Sequence, residues 1–549
     1  MSAVLAKAPA SLRITDLETG FQILSRLPLA NSQQAALDMN EFLDCLLQAP
    51  PAADVYLQIL EQTRISLCFI EEDLARRFTN KPLPLGDVEE LAFQEVVGTW
   101  LKAARSYSHC AQLQDADGSS ADAERLALIL HRCIYYTGMA IVEHYRARRQ
   151  LPAGLWLDLH GFYASAEEWG IATLAVQDPL DPLGRSTHCA AALVALLLTE
   201  LSGPYSLSIR ELGLVRRWAG NWSPLVTIHA AIPGEPLPHC VVDLMQDAGL
   251  CASSECLVTE NLRRLDTSRL AMQLSRLREQ LQQRMAPAQL GLGEDCTAVQ
   301  CHRLLKRVFK PWTLVRAGRQ FRRHRAAGIA KVCSGFVGMH YYISGTEFNQ
   351  PDNARIYSRQ EFDSLFAFRH MVDPTQQLTV RPSQLGFALD DWEVLDQCAN
   401  GFRLLRSNAG RKLEPGQLLS LCPHDGSAHL LAQVVWLRQE QSGGLVAGIA
   451  ALPGRPRAVA VRPVPERPGH GEHYSRAFLL PAVPAVGAEE TLVIPQGWYR
   501  RERVLEMHTD TASQVRLQRL VAEGSDFERV TFAALDERVV GRPLTNAGG

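Results

Sequence analysis

Val315-Arg316-Ala317-Gly318-Arg319-Gln320-Phe321-Arg322-Arg323-His324-Arg325-Ala326-Ala327-Gly328-Ile329-Ala330-Lys331 is where this 549-residue sequence changes character. From about Ala326 the apolar period moves toward two, the alternation of a half-buried strand. Ala330 to Gly335 and Phe336 to Ser344 read as strands. Gly401 to Arg406, Gln417 to Leu421, Leu430 to Leu437 and Leu445 to Ala451 continue the pattern. These segments are short and separated by Gly, Asn and Ser, as in a small antiparallel barrel. The charge is one-sided as well. No acid occurs between Asp295 and Glu347, a span that holds Arg303, Lys306, Arg307, Lys310, Arg316, Arg319, Arg322, Arg323, Arg325 and Lys331. Most basic runs are solvated faces. One that ends at the mouth of a barrel suits a phosphate-bearing ligand, because a guanidinium offers a planar fork of donors to phosphate oxygens.

Upstream, residues 1 to about 222 read as a helical bundle or array. Gln34 to Leu47, Val55 to Phe78, Glu89 to His109 and Ala123 to Arg148 carry apolar residues at spacings of three and four. Thr187 to Leu201 reads as a strongly apolar helix, and Ser208-Ile209-Arg210-Glu211 fits a capping box. Residues 223–312 form a mixed connecting region. It has short β-like runs at Leu225 to Ala231 and Cys240 to Leu244, a leucine-striped helix over Arg263 to Met285, and a basic helix from Cys301 to Phe309. Downstream, residues 454–474 are a Pro/Arg/Gly-rich connector, and residues 470–538 hold a further β-rich module. The fold class that follows is α+β and multidomain: a helical domain, an antiparallel β-barrel over 313–465, and a C-terminal β module.

Two short motifs stand in order in the barrel region. The first is the RxxxR of Arg319-Gln320-Phe321-Arg322-Arg323. The second is Asp396-Gln397-Cys398-Ala399-Asn400-Gly401, followed by the strand Phe402-Arg403-Leu404-Leu405. The pair resembles the two signatures of the PilZ domain, RxxxR and (D/N)xSxxG. Val434-Val435-Trp436 and Gly443-Gly444-Leu445-Val446-Ala447-Gly448 extend the likeness, which covers roughly residues 316–455. The whole chain is similar to bacterial proteins with a helical N-terminal region and a C-terminal PilZ domain. The N-terminal stretches that carry this are Leu155-Trp156-Leu157-Asp158-Leu159-His160-Gly161-Phe162-Tyr163 and Gly203-Pro204-Tyr205-Ser206-Leu207-Ser208.

The resemblance implies a receptor for cyclic di-GMP, a ligand with two phosphate charges and two guanines. Arg319 and Arg323 are its matched arginines and Arg322 an auxiliary one. Asp396 would accept hydrogen bonds from a guanine N1–H and N2–H₂ edge. Gly401 would permit a close backbone approach or a positive φ. These residue types at 396 and 401 also suit a plain hairpin turn. Two features depart from the family pattern. Cys398 stands at the serine position, and a thiol is a weaker hydrogen-bonding group than a hydroxyl. The motifs lie 73 positions apart, which implies an insertion at about 345–391 that includes Asn349 to Asp352 and a helix-like Gln360 to His370. Such a site binds and needs no nucleophile, metal or cofactor. The expectation is therefore a non-enzymatic effector that meets a protein partner through its N-terminal helices, with homodimerisation also open. The competing expectation is a scaffold or chaperone-like protein whose PilZ-like domain has lost its ligand.

Composition narrows the rest. A hydrophobic fraction of 46% excludes a disordered chain. A net charge of −3 argues against bulk nucleic-acid binding, yet it averages unlike parts: residues 1–120 are net −7 and residues 296–346 net +10. No uninterrupted apolar run is long enough to span a membrane, and no signal peptide stands at the N-terminus, so a cytoplasmic location with 13 reduced cysteines is expected. Cys251/Cys256 and Cys296/Cys301-His302 lack zinc-knuckle spacing. His109-Cys110, His188-Cys189 and His239-Cys240 are adjacent pairs that cannot face each other as a catalytic couple on a helix. His424-Asp425-Gly426 reads as a turn.

Overall fold

The computed structural model describes residues 14–116, 122–181, 184–315, 322–351, 387–464 and 473–535. It divides into two compact units, residues 1–319 with 439–441, and residues 320–438 with 442–549.

The first unit is mainly helical: α1 (Leu17–Ser25), α2 (Ser32–Gln48), α3 (Ala53–Ala75), α4 (Asp87–Ala116), α5 (Ala123–Arg146), α6 (Leu155–Glu168), α7 (Cys189–Leu201) and α8 (Ile209–Trp222). A two-stranded ribbon, β1 (Val176–Gln177) with β2 (Ser186–Thr187), precedes α7. Helix α5 is the hub, and its residues contribute to both apolar cores of the unit. It is long and apolar enough to cross a membrane by length and composition, and here it is mostly buried within the fold. Its charges are paired: Arg132 donates to Glu61 through Nε at 2.9 Å and Nη2 at 2.8 Å, beside Arg64 Nη2 to Asp178 at 2.8 Å. Buried guanidiniums persist only with such partners. Both halves of the capping box at Ser208 and Glu211 are formed at the start of α8.

The unit also holds a four-stranded sheet in the order β3 (Thr227–Ala230), β6 (Leu262–Asp266), β4 (Cys240–Asp243) and β5 (Cys251–Ala252). The helix expected from Arg263 begins later, as α9 (Ser268–Gln282), because Leu265 is spent on a strand paired with Ile228. Leu270, Leu274, Leu277 and Leu281 of α9 are all buried. Helix α10 (Ala298–Trp312) starts with a second capping box, Thr297 and Gln300, and ends on Trp312. Trp312 Nε1 donates to the Leu198 carbonyl at 2.7 Å and lies 2.8 Å from Ser202 Oγ. That anchor fixes the chain a few residues before the arginine-rich segment.

In the second unit the first barrel comprises β7 (His324–Arg325), β8 (Ile329–Ser334), β9 (Asp390–Cys398), β10 (Gly401–Arg406), β11 (Leu418–Cys422), β12 (Leu430–Gln439) and β13 (Leu445–Ala451). The order is β10-β13-β12-β11-β8-β9-β7, and a β9–β10 pairing closes six of these strands into a ring, with β7 added on the free part of β9. The second barrel is closed in the order β14 (Arg457–Pro463), β15 (Ser475–Leu480), β16 (Thr491–Pro495), β19 (Phe527–Leu535), β18 (Ala512–Glu523) and β17 (Val504–His508).

Two expectations are corrected here. Phe336–Ser344 is a helix, α11, rather than a strand. Its β-branched and aromatic content reads as strand, but Phe336, Met339, His340 and Ile343 recur at helical spacing. Met339 is buried, with Phe336 and Ile343 packed beside it, in a core that joins Leu418 and Leu431 of the first barrel to Phe478 and Leu480 of the second. The other correction is at 454–474. Arg457–Pro463 is not connector but β14, paired with β15 and β17, its arginine-flanked run pairing Arg462 with Glu506 at 2.8 Å. The expected helix at Gln360 to His370 lies outside the described residues.

Candidate functional site

The hairpin that closes the first barrel carries the second motif. Strand β9 ends at Cys398, Ala399 and Asn400 turn, and β10 begins at Gly401, with Cys398 opposite Gly401. The two-residue turn explains part of the motif without a ligand. Cys398 Sγ donates to Asn400 Oδ1 at 3.3 Å, so the thiol is engaged within the turn. Gly401 does not have a positive φ. A Cβ there would sit 2.9 Å from the Ile449 carbonyl oxygen, so glycine is needed for the approach of β13 rather than for an unusual dihedral.

The two motifs meet despite the gap between them. Arg323 Nη1 donates to Asp396 Oδ1 at 2.6 Å. Beside it β7 adds to β9, placing His324 opposite Gln397 and Arg325 opposite Asp396. A third guanidinium joins from β10: Arg403 Nε lies 3.2 Å from Asp396 Oδ2. The side chains of Arg323, Asp396 and Arg403 are 30%, 17% and 47% exposed, so solvent and a solute reach all three. Arg322 and Arg325 are exposed, with no carboxylate partner among the described residues. Arg319 lies outside the described residues.

Register extends this cluster across the sheet. Directly opposed residues of an antiparallel pair project from the same face. Arg325, Asp396 and Arg403 are opposed in turn, and Arg403 is opposed to Gly448 of β13. At Gly448 a Cβ would meet Trp436 Nε1 at 2.0 Å, so the indole of Trp436 lies directly over that glycine. The face therefore presents, in order, Arg325, Asp396, Arg403 and a half-buried tryptophan. The guanidiniums of Arg323, Arg325 and Arg403 thus surround the single carboxylate of Asp396.

Chemically, this is a surface for an anion that also carries a planar base. The arginines are donors for phosphate or for base acceptors, Asp396 is an acceptor for amidine-like N–H groups, and an indole stacks on any base face. Among the described residues no group of three or more His, Cys, Asp and Glu is placed to hold a metal ion. The adjacent His/Cys pairs have structural tasks: His188 Nδ1 accepts from Ala191 N to cap α7, while Cys189 is buried.

Three models of known families match the chain in order. They are the N-terminal domain of the cyclic-di-GMP receptor FimW over residues 21–234, its middle PilZ domain over 252–364, and the FimW C-terminal beta-barrel domain over 459–535. Residues 252–364 of the chain are therefore similar to a PilZ domain. The cyclic-di-GMP receptor FimW of Pseudomonas aeruginosa is 24% identical to it, across 91% of this chain and 88% of that relative. The PilZ match takes in Arg322 and Arg323 and ends before Asp396.

Arg403, Trp436 and Gly448 were missed as site residues by sequence reasoning. The signal for Arg403 was its alternation: with Phe402 and Leu404 buried, a charge at 403 must face outward. Trp436 stood within a quoted strand, but nothing in its spacing tied it to Gly448 or to Asp396.

Proposed function

We propose that this protein binds cyclic di-GMP on the face built from Arg322, Arg323, Arg325, Asp396, Arg403 and Trp436, with Arg319 in the adjoining segment. The reading is carried by one observation, the 2.6 Å contact that unites the two separated motifs. The arginines hold the two phosphates. Asp396 accepts from a guanine edge, and Trp436 supplies a stacking surface. Ligand phosphate then competes with Asp396 for Arg323 and Arg403. Because Arg323 precedes β7 directly, that exchange reaches the arginine-rich segment, and a ligand that favours one arrangement shifts the population toward it. In this reading the output is a protein–protein contact made by the N-terminal helices in the bacterial cytoplasm, with no catalytic step.

The relative named as a cyclic-di-GMP receptor supports the ligand class. Filter binding with radiolabelled cyclic di-GMP tests it. Displacement by unlabelled cyclic di-GMP but not by GTP or cyclic GMP is expected; equal displacement by GTP would reduce the site to a general phosphate surface. Cys398 favours a second reading, a scaffold without ligand, since its sulfur is already committed to Asn400. No retention of label by folded protein would establish that alternative.

A further inference from the structure

Cys251 and Cys256 bracket a short turn beside the four-stranded sheet, well away in sequence from the arginine site. Their Sγ atoms lie 2.6 Å apart, and both side chains are partly exposed. Cys251 is held by its strand, opposite Val241 of β4, and its Sγ also lies 3.5 Å from the Val241 carbonyl. Cys256 sits on the other side of the turn, with Gln246 Nε2 directed at its sulfur at 4.0 Å. The two thiols thus lie side by side at the ends of the turn, either one able to donate to the other, with the Gln246 amide directed at Cys256.

We propose that Cys251 and Cys256 are a thiol–disulfide exchange site that closes to an intramolecular disulfide with a low-molecular-weight disulfide such as oxidised glutathione. Cys256 thiolate attacks one glutathione sulfur, the glutathione S–S bond breaks, and one glutathione thiolate leaves. Cys251 then gives up its proton and attacks Cys256 sulfur in the mixed disulfide, expelling the second glutathione. Two cysteine thiols are oxidised by two electrons, one glutathione disulfide is reduced, and the two protons released pass to the two glutathione thiolates. Burial, and the sulfur of Cys256 beside it, push the Cys251 thiol up to about 12, in keeping with its role as the second, resolving thiol.

The location gives the bond something to act on. Ser253, inside the turn, donates its N–H to the His239 carbonyl at 3.0 Å. His239 Nδ1 donates to the Leu314 carbonyl at 2.8 Å, at the exit of α10. The dithiol turn is thus two hydrogen bonds from the chain that leads into the arginine segment. The second close pair, Cys296 and Cys301 at 2.9 Å, serves as an internal comparison. It sits immediately before and just inside the capped start of α10, where two apolar side chains staple a helix, and Cys301 is fully buried.

The test incubates the full-length protein with oxidised glutathione, alkylates free thiols and cleaves after glutamate. Cleavage at Glu255 separates the two cysteines, so only a disulfide keeps their peptides joined. Joined, reducible peptides are expected in the wild type and absent from Cys251→Ser. In Cys251→Ser the intermediate cannot resolve, so Cys256 is recovered carrying one glutathione. Alkylation of both thiols in the wild type after full exposure would overturn the proposal. So would Cys251→Ser recovered with Cys256 unmodified while its far-ultraviolet circular dichroism is native.

Discussion

Arg323→Ala is the substitution that separates a ligand site from a structural ion pair. In the free protein Arg323 donates to Asp396 at 2.6 Å, with both side chains partly open to solvent. A pair of that exposure is worth about 0.2–1 kcal/mol. A charge-assisted hydrogen bond from Arg323 to a ligand phosphate would return about 1.5–3 kcal/mol. The ligand must displace the first to gain the second, so the net contribution is about 1–2 kcal/mol, and Arg323→Ala should weaken binding by about 5–30-fold. The fold should hardly register the change. Asp396 keeps Arg403 at 3.2 Å, so no carboxylate is left without a partner and the stability cost stays below about 1 kcal/mol. Titration calorimetry measures the first quantity and a thermal melt the second. Arg303→Ala is the control, because Arg303 is exposed and pairs with Glu211 in the helical unit. The reasoning fails if Arg323→Ala binds within twofold of wild type, or if Arg303→Ala loses as much.

Three further substitutions or conditions probe other parts of the structure. Gly448→Val places a side chain where the Trp436 indole lies, since even a Cβ would come within 2.0 Å of Nε1; it should weaken binding about as much as Trp436→Ala, roughly 1–3 kcal/mol for one lost stacking surface, while circular dichroism stays native. Asp526 is raised from 3.8 to about 6 by burial, although its Oδ1 accepts from Leu418 N at 2.8 Å. Its contribution to stability is full below about pH 3.8 and is lost as pH rises through about 6, so Asp526→Asn, which retains the acceptor, should stabilise by about 1–2 kcal/mol at pH 7.5 and by little at pH 4; equal shifts in Tm at the two pH values would contradict the assignment. In the helical unit, burial pushes His144 and His160 down to about 4. Their contribution is present above about pH 6.5 and lost as pH falls toward 4, so that unit should melt progressively lower over this window; a flat Tm across it would be the refuting result.

Where one face of a strand is buried and the other is wet, the alternation was readable to the residue. Gly401–Arg406 has its expected bounds for that reason, whereas Leu445–Ala451, buried on both faces over most of its length, was legible as a short apolar run after Gly443-Gly444. The long helices α2 to α5 were legible because three- and four-residue spacing survives the fixed polar groups inside them. Phe336–Ser344 was misread because its helix is covered from two sides by barrels, and burial from two sides removes the polar face that marks a helix. Arg457–Pro463 was hidden by arginines and a proline that belong to a paired strand end. At the site, residue types suggested Arg323 and Asp396, but only the closure of β9 against β7 brings them together across 73 positions. Arg403 was invisible for the opposite reason: an exposed charge on a strand is the ordinary state of a surface, and its meaning comes from what lies opposite. The near-neutral total charge likewise conceals the acid-free basic stretch of residues 296–346.

The central claim is that the face joining Arg323, Asp396 and Arg403 takes up cyclic di-GMP. Isothermal titration of the full-length, folded protein with cyclic di-GMP measures this directly. A saturable heat with micromolar or tighter affinity, weakened by Arg323→Ala and by Arg403→Ala and unaltered by Arg303→Ala, is the expected result. No heat from a sample whose melt and circular dichroism are native would contradict it.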